Sequence, residues 1–140
     1  MTTSFLSKSE IAALFKNIET GNSAEFFKNV VDNVDWEVMG THPLAGHYHT
    51  EEDFLNATFR RLHKILNEGV ILKVRRIFID SLTPNTAIVE MESLSTAKNG
   101  KPFNNTYCWI VEFNQAKKIT LVRAYVDSAL VQQVIDENEK

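Results

Sequence analysis

Cysteine is nearly absent: Cys108 is the only one in 140 residues. No internal disulfide can form, so packing has to hold the fold, and nothing calls for an oxidising compartment. Glycine and proline are sparse too, at five and three, which excludes collagen-like and low-complexity chains. No run approaches the roughly 18 apolar residues of a membrane span. The opening Met1-Thr-Thr-Ser-Phe-Leu-Ser-Lys8 has no basic stretch ahead of an apolar core and does not read as a secretory signal. Those absences predict a cytoplasmic protein that binds no membrane. A surplus of positive charge is also missing. Fifteen Lys and Arg against 18 Asp and Glu give a formal net charge of −3, with no polycationic footprint for nucleic acid.

What the chain does have is aromatic bulk, nine Phe, three Tyr and two Trp, within a 44% hydrophobic composition. Its length suits a single domain over residues 1–140 that buries roughly two thirds of its unfolded surface. So many aromatics predict a core with room around it.

The first third reads as helical. Ser7-Lys-Ser-Glu10 is a capping box, followed by Ile11, Leu14, Phe15 and Ile18 on one stripe. Gly21 stops that helix, and Asn22 with Glu25 starts a second carrying Phe26, Phe27, Val30 and Val31 on one face. Val34–Met39 reads as a short strand, Gly40–His49 as a loop, and Thr50–Asn67 as a third helix striped by Leu55, Thr58/Phe59, Leu62 and Ile65/Leu66. From Val70 the period changes. Strands are expected over Val70–Asp80, Thr86–Thr96, Phe103–Phe113 and Ile119–Asp127, then a short helix through Leu130, Val131, Val134 and Ile135. Helices first and strands after predict an α+β fold, a curved antiparallel sheet with helices on its concave face.

Asn99-Gly100 is a strong hairpin signal. As a two-residue turn it sets Glu92 opposite Tyr107, Glu90 opposite Trp109, Ile88 opposite Val111 and Leu94 opposite Asn105. The bulky side of that hairpin, both glutamates included, is then expected to face the helices. The flatter side, with Met91, Cys108, Ile110 and nearby Tyr125, is expected to form a two-fold homodimer surface on the convex face.

The order and pattern of nearly the whole chain resemble the NTF2-like superfamily and, within it, SnoaL-like proteins related to ketosteroid isomerase. The likeness rests on the helices around Glu19-Thr-Gly21, on Val34-Asp-Trp-Glu-Val-Met-Gly-Thr-His-Pro-Leu-Ala-Gly46, on the helix over Thr50–Asn67, and on Lys118-Ile-Thr-Leu-Val-Arg-Ala-Tyr-Val-Asp127. It implies a cone whose sheet wraps a pocket closed by helices, commonly dimeric through the sheet. Family chemistry does not carry over intact. Leu14, Met39 and Trp109 stand where the isomerase-type site has a tyrosine and two aspartates. Glu90, Glu92 and Ala124 stand where the limonene-epoxide-hydrolase type has aspartate, arginine and aspartate.

Two carboxylates two apart on one strand face, Glu90 and Glu92, would be the acid–base pair of a dry pocket, since desolvation and mutual repulsion separate their pKa values. Pairing with Arg75 or Arg76, or a convex-face position, is the structural alternative. His42 is placed at the pocket entrance as a further catalytic candidate. Trp36, Tyr107, Trp109, Asn105, Val122 and Ala124 are the expected ligand-binding wall. His47-x-His49 can seed a metal site, but no cysteine or carboxylate stands at a familiar spacing from it, so neither metal nor cofactor is expected. The functional expectation is an NTF2-like cone binding a small, largely apolar molecule. The alternative is a lyase, isomerase or hydrolase acting through Glu90 and Glu92 on an apolar cyclic substrate.

Overall fold

The computed structural model describes residues 5–139. The capping box forms as written: Ser7 Oγ accepts from the Glu10 amide at 3.2 Å, and Glu10 Oε1 accepts from the Ser7 amide at 3.0 Å. It starts α1 (Lys8–Glu19), which buries Ile11, Phe15 and Ile18. The Asn22 side chain accepts from the Glu25 amide and starts α2 (Ser23–Phe27). That helix stops at Phe27, so Val30 and Val31 are not on its face. They open β1 (Val30–Val38), four residues earlier than the expected strand. β-branched residues fit a pleated strand, and Val30 gains a ladder partner in Ile119 that a lengthened helix would forfeit.

The expected loop contains a short strand, β2 (Gly46–Tyr48). The third helix is broken into α3 (Glu51–Ala57) and α4 (Phe59–His63). The break is at Thr58, whose backbone leaves the helical region at φ −124°, ψ −79°. Its hydroxyl donates to the Phe54 carbonyl at 2.7 Å, the back-bonding that lets threonine compete with a helix.

Four long strands follow: β3 (Leu72–Ile79), β4 (Thr86–Ser93), then β7 (Thr106–Phe113) and β8 (Ile119–Val126) after a small hairpin of β5 (Ser95–Thr96) and β6 (Pro102–Phe103). The chain ends in α5 (Ser128–Asn138), capped by Asp127 Oδ1 accepting from the Ala129 and Leu130 amides. The main sheet has the order β2-β1-β8-β7-β4-β3. It is mixed, not wholly antiparallel, because β1 and β8 run parallel. The chain lays down β1 first and reaches its parallel neighbour only with its last strand, so everything from β2 to β7 lies in the connection between the two. No helix among the described residues is long and apolar enough to cross a membrane.

The hairpin register differs from the expectation by one residue. Observed partners are Glu92 with Thr106, Met91 with Tyr107, Glu90 with Cys108 and Val89 with Trp109. The cause lies in the turn. The Ala97 amide donates to the Lys101 carbonyl at 2.9 Å, leaving a three-residue loop, Lys98-Asn99-Gly100. Gly100 takes φ +87° while Asn99 does not enter the positive-φ region that a two-residue type I′ turn requires of it. A left-handed glycine closing a three-residue loop adds one residue to the hairpin, and one residue exchanges the faces.

The inner face therefore carries Ala87, Val89, Met91, Trp109, Val111, Val122 and Ala124, all buried under the helices. Met91, expected on the dimer surface, belongs to this core. Trp109 meets Phe15 and Phe26 edge-on at ring-centroid distances of 5.9 and 6.3 Å. Burying each such ring contributes roughly 1.5–3 kcal/mol, which is how a chain without disulfides holds together. The outer face carries Ile88, Glu90, Glu92, Cys108, Ile110 and Tyr125.

Arg61 joins three segments. Its Nε and Nη2 donate to the two carboxylate oxygens of Glu139 at 2.6 and 2.9 Å, and Nη1 donates to the Pro43 carbonyl at 3.3 Å. The hairpin tip holds the same helix through Asn99 Nδ2 and Lys101 Nζ, which donate to Glu137.

Candidate functional site

A cavity of about 40 Å³ lies between the inner face of β1, β7 and β8 and the cover made by α3, α4, α5 and the loop after β1. Its walls are mostly apolar side chains, among them Phe54, Leu62, Trp109, Ala124 and Val131. A single water needs roughly 10–15 Å³ of such space, whereas sites for drug-sized ligands span roughly 300–1,000 Å³. In this state the cavity admits a small group, and a larger guest has to displace part of its cover.

Strand parity brings Trp36 into the cavity, because the β1 alternation buries Val34, Trp36 and Val38 while Asp35 and Glu37 face out. Its ring stacks on Phe54 at 3.8 Å and meets Trp109 edge-on at 5.1 Å. The indole Nε1 is fully buried with no hydrogen-bond partner among the described residues. An unpaired buried donor costs about 1–3 kcal/mol. Tyr107 also lines the space, and burial pushes its hydroxyl far up, so it stays a neutral donor. No carboxylate lines this cavity among the described residues.

His42 lines it as expected, but both ring nitrogens are engaged. Nε2 lies 3.1 Å from the Met39 carbonyl, and Nδ1 lies 3.2 Å from the Leu44 amide. A carbonyl can only accept and an amide can only donate, so Nε2 carries the proton and Nδ1 accepts. Burial pushes this imidazole down, toward the neutral form those partners need. His42 thus folds the mouth loop and has no lone pair free for a substrate. Gly40 serves the same loop at φ +114°, where a Cβ would stand 2.5 Å from Ser128 Oγ of α5.

The other expected residues divide. Trp36, Tyr107, Trp109 and Ala124 line the cavity. Val122 is buried beside them, in register with Trp36 and Val111, without lining it. Asn105 is fully buried as a clasp: Nδ2 donates to the Asp127 carbonyl at 3.1 Å, and Oδ1 accepts from the Thr106 and Asp127 amides at 2.8 and 3.1 Å. With these bonds made, its side chain has nothing left to offer a ligand. Glu90 and Glu92 stand on the outer face, not in the cavity, which corrects the acid–base placement. Glu92 pairs with Arg75, the structural alternative. Glu90 lies beside Cys108; burial, and then the Glu90 charge, push that thiol up and keep it protonated.

Sequence reasoning misses Phe54, because the expected helical stripe runs through Leu55. Phe54, Thr58 and Leu62 recur at i, i+4 and i+8, and that spacing was the available signal. It also missed Asp35, which meets His47 and His49 on the outer face.

No protein-family model matches the chain. Two curated proteins do, both named as dimerizing cyclases. PhiC of Fungal sp. (strain ATCC 74256) is 28% identical over 135 residues, 96% of this chain and 59% of that protein. TstC of Talaromyces stipitatus is 25% identical over 114 residues, 81% of this chain and 50% of that protein. The chain thus spans little more than half the length of the curated relatives it matches. Among solved structures, an NTF2-like protein from Burkholderia thailandensis superposes with a TM-score of 0.73 at 22% identity, covering 89% of this chain and 93% of that one. The fold is NTF2-like.

Proposed function

We propose that the protein binds a small, largely apolar molecule in the cone cavity and fixes it through a hydrogen-bond acceptor set against Trp36 Nε1. The observation that carries this reading is the orphaned indole donor in a largely apolar wall. A ligand carbonyl or ether oxygen there would recover the cost of the unpaired N–H, and the neutral Tyr107 hydroxyl supplies a second donor.

The likeness to two dimerizing cyclases supports a reaction in the same cavity, ring closure of an apolar reactant held in one pose. Positioning alone can lower such a barrier by up to about 7–11 kcal/mol. Donors at a carbonyl oxygen stabilise charge that develops there. Neither contribution needs a carboxylate, and this favours positioning over general acid–base chemistry at Glu90 and Glu92. A homodimer through the outer face accompanies the proposal. Phe78, Ile88 and Ile110 lie side by side across β3, β4 and β7, with Tyr125 near, and a two-fold partner would cover them.

Titration with cyclic ketones and their matching hydrocarbons, followed by the indole N–H resonance of Trp36, tests the cavity reading. Ketones should bind more tightly and shift that resonance, and Trp36→Phe should abolish the preference. Equal affinity for ketone and hydrocarbon in the unaltered protein would sink it.

A further inference from the structure

We propose a divalent transition-metal site on the outer face of the sheet edge, with Asp35, His47 and His49 as ligands and zinc as the ion. Strand parity assembles it. Trp36 pairs with Tyr48 and Glu37 with His47 in the β1–β2 ladder. Trp36 and Tyr48 turn inward onto Phe54, so Asp35, Glu37, His47 and His49 share the opposite face. Asp35 then lies opposite His49, one residue past β2, and diagonal to His47, a separation that long side chains span.

The side chains close the remaining distance. One donor atom from each of Asp35, His47 and His49 lies within 4.8 Å of the other two. His47 Nε2 already touches Asp35 Oδ1, and the two imidazole rings stand 4.4 Å apart at 39°. Zinc bonds of about 2.0–2.2 Å to nitrogen and oxygen put tetrahedral ligand atoms about 3.3–3.5 Å apart. Small rotations about exposed side-chain bonds bring the three donors to that spacing, since Asp35 and His47 are each about half exposed at 48% and 47%.

Two imidazoles and one carboxylate suit zinc, copper or nickel better than calcium or magnesium, which prefer all-oxygen shells. The Glu37 carboxylate on the same face adds negative charge that favours a cation. With three protein ligands and an exposed setting, the fourth position is open to water or to a carboxylate from another molecule. The ion would also clip a three-residue edge strand to β1, since metal binding to the folded state alone adds to its stability. The competing account is a plain His47–Asp35 ion pair with His49 as a bystander.

Calorimetric titration of the chelator-stripped protein with zinc, and with cobalt as a visible-absorption probe, separates the two accounts. The site predicts one ion per chain, a cobalt spectrum of tetrahedral type and a zinc-dependent rise in melting temperature. His47→Ala, His49→Ala and Asp35→Asn should each lower affinity by more than the roughly 10–100-fold that losing an outer partner of a metal ligand costs. His63→Gln, on α4, should leave it unchanged. Melting curves without metal confirm that each variant folds. Absence of one-to-one zinc binding, binding that survives the His47→Ala/His49→Ala double variant, or His49→Ala having no effect would each overturn the proposal.

Discussion

The two faces of one sheet are built from neighbouring residues and share almost no chemistry. On β4 and β7 the inner face runs Val89, Met91, Trp109 and Val111, while the outer face runs Glu90, Glu92, Cys108 and Ile110. The inner face has aromatic bulk and, at Trp36, an unpaired donor; the outer face has carboxylates, a thiol and, at the far edge, histidines. Parity separates the two sets, and parity is decided at a distance by the three-residue loop Lys98-Asn99-Gly100. The Asn99-Gly100 signal alone places a candidate catalytic pair in the cavity, and one extra loop residue moves it to the other side of the sheet.

This contrast can be broken or sharpened by substitution. The largest effect should come from the inner face, where Trp109→Ala should cost about 3–5 kcal/mol in a urea melt, the usual range for a buried aromatic. A loss below 1 kcal/mol would mean that this face is not the core. Gly100→Ala tests the turn itself. An L residue held near φ +87° costs about 1–2 kcal/mol, and a neutral result would argue against the left-handed glycine that sets the register.

Acid sensitivity should follow. Burial pushes both His42 and His63 below the ordinary value of 6.5. The unfolded chain then takes up protons first, so stability should hold above about pH 6.5 and fall as pH drops through the lower folded values. The His42→Gln/His63→Gln double variant should flatten that fall, and an unchanged slope would reject the assignment. The smallest effects belong to the outer face. A double-mutant cycle on Arg75 and Glu92 should give about 0.2–1 kcal/mol, as for other exposed pairs, and less in high salt. Glu90→Gln should stay within about 0.5 kcal/mol. Neither glutamate substitution should alter affinity for a cavity ligand, and a large change would return the pair to the candidate site.

Much of the fold was legible because its signals are local. Ser7 with Glu10, Asn22 with Glu25 and Thr50 with Asp53 start helices where the sequence shows caps. The α+β order, the four long strands and the terminal helix followed from periodicity. Errors had two sources: Val30 and Val31 left the helix for a ladder beside β8, a distant partner, and Thr58 broke the third helix through a local bond to the Phe54 carbonyl. The candidate site was legible in the same measure. Trp36, Tyr107, Trp109 and Ala124 reach the cavity because strand alternation is readable, and His42 because it follows β1. Glu90 and Glu92 did not, since register depends on loop length. Asp35 went unnoticed beside His47 and His49 because strand pairing, not sequence spacing, makes them neighbours.

The Arg61 fork has a kinetic consequence. Val131 of α5 forms part of the cavity wall, and the far end of that helix is fastened to α4 and the mouth loop by one partly exposed guanidinium. Exposed ion pairs of this kind hold by about 0–1 kcal/mol and weaken as salt rises. The fastening is therefore weak enough to open on its own and is screened by ions in the medium. Guests should exchange faster at high ionic strength, and faster again in Arg61→Gln, while their equilibrium affinity changes little. For a guest small enough for the resting cavity, this fastening would then set the pace of entry and exit and leave the affinity to the walls.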